Sequence, residues 1–223
     1  MSTKDLIERL SADARPVQRH SLRTIIWPSL SVGTFCALAI MVMSFGLRQD
    51  LQNADVITQL IAKAVLGLIA MIAGLAALVP SLRPDMGSVL PKQILGATLL
   101  ALGAIAVVHL AARCPMCSVL YLSANVARPP CVITLLAIAP FACLAFTVRS
   151  EAPTHLNVTG AALGLTSGGI GAVLYAFARN EPSTSLDLAW FSVGIVMTTV
   201  LGMIAAPESF AGDPTAPVSK QVQ

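Results

Sequence analysis

The sequence predicts an all-α polytopic membrane protein: a six-transmembrane-helix bundle with a short N-terminal amphipathic helix. Three observations predict it. Only 11% of the 223 residues are charged, where a soluble domain carries about 25%. Hydrophobic residues make up 56% and mean hydropathy is +0.78, so the surplus apolar surface must face lipid. The apolar residues are also gathered into continuous runs, and the absence of a period of 2 argues against a β-barrel.

Six runs meet or approach the roughly 20 residues that a helix needs to cross the hydrocarbon core. They lie at 25–47, 56–79, 94–112, 131–148, 156–178 and 186–206. The first exceeds the ~7–15 apolar residues of a signal peptide and has no small-x-small cleavage site after it, so it reads as a retained anchor. The second carries Lys63, which is either a coupling or ligand residue, or a structural one that snorkels or bonds a neighbouring helix. Pro140 is expected to kink the fourth. Gly160, Gly164 and Gly168 in the fifth, and Gly194, Thr198 and Gly202 in the sixth, form small-residue faces that admit a close neighbour. Polar, proline-bearing stretches such as Pro80 to Asp85 and Arg149 to Pro153 connect the runs.

Ahead of the first span, Ser2 and Asp5 form a capping-box-like pair, and Leu6, Ile7, Leu10 and Ala14 recur at helical spacing. Pro16 should end this helix near Arg15. At about 13 residues it is too short to be stable alone in water, so its apolar stripe needs either the bilayer interface or a partner protein. Acidic and basic residues mixed around the wheel favour a protein. The chain thus divides into a cytoplasmic binding segment at 1–24, a transmembrane domain at 25–206 and a disordered cytoplasmic tail at 207–223.

Orientation follows from the distribution of Lys and Arg. Nine lie on the side of the termini (Lys4, Arg9, Arg15, Arg19, Arg23, Arg83, Lys92, Arg149, Lys220), and Arg48, Arg113, Arg128 and Arg179 lie on the other. The positive-inside rule therefore places both termini in the cytoplasm. The formal charge of +3 is a topology signal, and no basic stripe with interleaved aromatics points to direct nucleic-acid binding.

Missing motifs narrow the chemistry. No phosphate-cradling loop, His-Glu-x-x-His or nucleophile with a base is found, and no cofactor motif. His20 and His155 are expected on one side of the membrane and His109 on the other. Cys36 and Cys143 sit in apolar runs, where cysteine behaves as a small hydrophobe. Cys114 and Cys117, spaced as Cys-Pro-Met-Cys, share the second outward loop with Cys131. In an oxidising periplasm such thiols can pair, sense oxidants or bind soft metals. One disulfide clipping the loop, a sensor and a thiol-exchange enzyme all fit this pattern.

Several stretches carry a resemblance. Asp5 to Leu10 followed by Ala14-Arg15-Pro16-Val17, Arg83-Pro84, Cys131 through Ala139-Pro140 to Ala152-Pro153-Thr154, Gly160 to Tyr175, and Ala189-Trp190-Phe191 resemble the NrsF-type membrane anti-sigma factors over nearly the full chain. The resemblance implies an extracytoplasmic-function sigma factor held at the bacterial inner membrane by the N-terminal segment, here Leu6, Ile7, Arg9 and Leu10. It also implies outward cysteines that respond to heavy-metal or oxidative stress. Cys131 matches the first family cysteine. The second follows a Tyr-Ala-Leu-His motif, where this chain reads Tyr175-Ala176-Phe177-Ala178-Arg179. Either Cys114 and Cys117 take the missing partner's role, or sensing has been lost or changed. A rival from another class is a membrane thiol oxidoreductase working through Cys114 and Cys117 with a quinone. A small-solute or metal transporter would need a polar path that the scarcity of intramembrane charge disfavours.

Overall fold

A computed structural model describes residues 22–46, 54–82, 89–111, 128–149, 155–178 and 186–210. Among them are six α-helices: α1 (Leu22–Phe45), α2 (Ala54–Ser81), α3 (Val89–Ala111), α4 (Arg128–Arg149), α5 (Leu156–Phe177) and α6 (Leu186–Phe210). Each is long and apolar enough to cross a membrane. The expected spans hold, with helices extending a few residues beyond most apolar limits. Pro129 and Pro130 lie in the first turn of α4 and Pro91 in that of α3, where a missing N–H breaks no helical hydrogen bond. α4 runs unbroken through Pro140.

The helices alternate in direction, so Leu22 and Phe210 mark one end of the bundle, the terminal end, and Cys131 marks the other. α5 is the axis. Its span is 83% buried, against 17% for that of α3, and its own sequence explains why. Helices in lipid gain no hydrophobic energy from meeting one another, so van der Waals contact between closely approaching backbones must hold them. α5 supplies glycine toward three neighbours. A methyl group built on Gly169 would lie 2.5 Å from Met71 N and 2.6 Å from Gly67 O on α2, and one on Gly171 would lie 2.6 Å from Ile133 O on α4. One on Gly160 or Gly164 would strike the α6 backbone at Gly202 or Thr198.

The two small-residue faces anticipated from spacing therefore meet, at Gly160 with Gly202 and at Gly164 with Thr198. Gly194 departs from that pattern. Its Cβ position faces Pro130 Cα at 3.2 Å and Ile133 Cδ1 at 3.1 Å on α4. A row of every fourth residue drifts by about 40° per step around a helix, and two steps carry Gly194 out of the α5 contact.

Hydroxyls inside the bundle are bonded locally. Thr166 donates to Ala162 O, Ser167 to Gly164 O, and Thr198 and Thr199 to Ile195 O, which satisfies them without a partner helix. Side chains also bridge helices: Ser29 Oγ on α1 donates to Cys143 O on α4 at 2.7 Å, and Thr159 Oγ1 on α5 donates to Ser81 Oγ on α2 at 3.4 Å. Large apolar side chains cover the outside, among them Phe35, Met43, Leu100, Phe146 and Ile204.

The packing predicts that Gly169→Ala destabilises the bundle by about 1–3 kcal/mol, because the methyl meets backbone that has no room to yield. Gly96→Ala and Gly103→Ala on α3, where a Cβ meets nothing within 4 Å, should leave stability unchanged or slightly raised. Unfolding in mixed micelles, followed by circular dichroism, measures both.

Candidate functional site

Cys131, Lys63, Tyr175 and His109 lie toward one end of the bundle, the Cys131 end. Cys131 stands in the first turn of α4 with its side chain exposed. The backbone beneath it is closely packed: Pro130 and Ile133 lie against Gly194 of α6, and Ile133 O lies against Gly171 of α5. This thiol is free, as are Cys36 and Cys143. Cys36 is exposed midway along the apolar α1, a lipid-facing position, and Cys143 packs on Gly33, with 3.3 Å between its Cβ and the position a Gly33 Cβ would take. Both have the apolar surroundings expected of them.

Lys63 is the one buried charged side chain among the described residues, at 9% exposure. Its stem turns inward from α2, and Nζ stands 5.3 Å from the centroid of the Phe191 ring on α6. It therefore does not snorkel; it makes an interhelical contact. Phe191 is itself 1% exposed and stacks on Tyr175 of α5, with centroids 5.4 Å apart and planes at 37°. The ammonium, the phenyl ring and the phenol thus tie α2, α6 and α5 together near the Cys131 end. A cation over a desolvated aromatic face is worth about 2 kcal/mol, enough to offset part of the cost of holding charge away from water. Beside them, Trp190 Nε1 is buried with no hydrogen-bond acceptor. Sequence reasoning singled out Lys63 but not its partners. The available signal was an aromatic pair, Tyr175 and Phe191, near the ends of two spans, where interfacial aromatics concentrate.

Other candidates are scattered. His109, half-buried in the last turn of α3, shares the Cys131 end, and His155 occupies the N-cap position of α5 at the terminal end, with no side-chain bond to the helix. Among the described residues, no three His, Cys, Asp or Glu side chains come together as a metal site would require. A cleft of about 210 Å³ between α4 and α6 is walled by apolar side chains, and its hydroxyls at Thr134, Ser167 and Thr198 are already bonded to their own helices. Leu6, Ile7, Arg9, Leu10, Cys114 and Cys117 lie outside the described residues.

Residues 10–211 match the family model of NrsF, negative regulator of sigma F, a stretch that contains all six helices. The chain belongs to the NrsF family. Its similarity to two NrsF proteins covers more than nine-tenths of each chain. The probable anti-sigma-F factor NrsF of Azospira oryzae is 27% identical over 207 residues, 92% of this chain and 96% of that protein. The anti-sigma-F factor NrsF of Caulobacter vibrioides is 28% identical over 209 residues, 91% and 95% of the two chains. No solved structure matches this chain.

If Lys63 and Phe191 act as a pair, a double-mutant cycle with Lys63→Met and Phe191→Leu should return a coupling energy of about 1–2 kcal/mol in the unfolding free energy. A coupling indistinguishable from zero would reduce the contact to mere proximity.

Proposed function

We propose that this NrsF-family chain is a membrane-embedded anti-sigma factor that holds an extracytoplasmic-function sigma factor at the inner membrane and releases it under heavy-metal or oxidative stress. The observation that carries the reading is the family match across the whole six-helix frame, supported by two relatives of nearly equal length that are named anti-sigma-F factors. Both termini lie in the cytoplasm by the charge bias of the connections. Leu6, Ile7 and Leu10 bury against the sigma factor, and Arg9 adds a charged contact. The chain regulates by binding and catalyses no reaction.

The other end supplies the input. Cys131 projects from a helix whose first two turns pack against α6 at Gly194 and α5 at Gly171, so a new bond at its sulfur loads the bundle directly. Cys114 and Cys117 are the outward thiols available to pair with it or to share a soft metal ion with it. A mechanical route inward runs along α4, since Arg149 ends that helix at the terminal end.

Co-purification of the full-length chain with the sigma factor encoded beside it tests the binding half. Leu10→Asp should weaken capture about tenfold or more, since a buried apolar anchor contributes roughly 1–3 kcal/mol and an unpaired carboxylate adds a desolvation cost. Unaltered capture by Leu10→Asp and Leu6→Asp variants would remove the N-terminal segment from the interface. For topology, a membrane-impermeant maleimide added to intact cells should label Cys131 in a Cys114→Ser/Cys117→Ser background, and labelling only after lysis would invert the orientation.

A further inference from the structure

At the terminal end, α1 and α4 leave between them a groove lined by Pro28, Ser29, Val32, Cys143, Phe146 and Thr147, with a volume of about 550 Å³. It opens beside a close α1–α4 approach, where a Cβ on Gly33 would stand 2.6 Å from Pro140 Cα. The hydroxyls of Ser29 and Thr147 both donate to Cys143 O, at 2.7 and 2.9 Å, so they turn toward the backbone and leave mainly apolar walls. Phe146, 82% exposed, and Val32, 56% exposed, stand open on it. The segment that precedes α1 carries an apolar stripe of its own and joins the helix at Leu22.

We propose that in the absence of a sigma factor the amphipathic N-terminal segment, which the sequence predicts as a helix ending near Arg15, lies back into this groove, so that groove and sigma factor compete for Leu6, Ile7 and Leu10. Three features fit this occupant. The groove begins at Pro28, two residues inside the membrane-capable span that starts at Ile26, a rise of about 3 Å, so its mouth lies within the ~5–10 Å to which an amphipathic helix settles into the membrane interface. Residues 16–21 reach up to about 20 Å when extended, enough to reverse the chain. Arg149, exposed one turn past Phe146 on α4, offers a positive charge to Asp5, Glu8 and Asp13. Only the competition rests on the anti-sigma reading; the docking does not. Sigma binding then has to displace a covalently tethered rival, and any movement of α4 that reshapes the groove changes the availability of the stripe.

The test uses the full-length chain, with its native cysteines replaced, in phosphatidylethanolamine and phosphatidylglycerol vesicles. Leu10→Cys is paired either with Phe146→Cys or with Ile138→Cys, an exposed position two turns deeper on the same helix, and treated with a short bismaleimide. Intramolecular product should form with residue 146 and far less with residue 138, and saturating sigma factor should suppress it. Equal yields at the two positions overturn the docking, as does a product that is an intermolecular dimer, which would assign the groove to a second copy. A cross-link that persists unchanged with bound sigma factor overturns the competition. As an independent arm, Val32→Trp fills the groove and should tighten sigma binding roughly twofold or more, the factor by which a half-occupied competing state depresses apparent affinity; unchanged or weaker binding counts against the competition. If co-purification shows that the sigma factor does not bind the intact chain at all, the anti-sigma reading fails and takes the competition with it, while the cross-link alone decides the docking.

Discussion

The closeness with which α5 admits its neighbours is the constraint on which the rest of the bundle depends. At Gly160, Gly164, Gly169 and Gly171 the adjoining helices come so near that a single added methyl would meet their backbone. In water, burial of large side chains compensates for loose geometry, but in lipid the outside of a helix is as apolar as its inside and only contact discriminates. A glycine-rich central helix touched on three sides therefore sets the positions of α2, α4 and α6, and through them those of α1 and α3. Cys131, Lys63 and Phe191 inherit their places from that packing.

The economy of polar groups follows from the same solvent. Most hydroxyls across the interior bond to their own helix one turn back, which leaves the interhelical surfaces free for close packing. Lys63 reaches across to a neighbouring helix instead. Its ammonium is drawn over Phe191 and so toward Tyr175, which concentrates both cation and aromatic surface at the end that holds Cys131. The opposite end is built differently: Ser29 bonds across α1 and α4, Thr159 across α5 and α2, and an apolar groove lies open beside Phe146. In the proposed function a sensor and a grip would stand at opposite ends of helices about 33 Å long, and α4, from Arg128 to Arg149, runs from one end to the other.

A large part of the fold was legible because the bilayer imposes a simple grammar. Length and hydropathy of each run set six helices, and proline-bearing breaks separated them. Boundaries were less legible, since Pro91, Pro129 and Pro130 look like interruptions but sit comfortably in first turns. Gly160, Gly164 and Gly168 announced a close-packed face by spacing alone. Gly67, Gly74 and Gly171 carried no such regularity, and their contacts appear only when three helices are laid against α5. At the candidate site, Lys63 was conspicuous as a lone charge and Cys131 as the residue opening a helix. Their partners were not, because Phe191 is 128 residues from Lys63 in the chain and no local pattern links them.

By itself, then, the sequence determined the class of solvent, the number of spans, the family and the residue types available at each end, since these depend on composition and on spacing within one helix. Only the tertiary structure decided that Lys63 turns inward, that Gly194 serves α4 and not α5, and that α5 is the axis. Those outcomes depend on rotation about each helix axis, which is set by the best joint packing of all six helices and by no one of them alone.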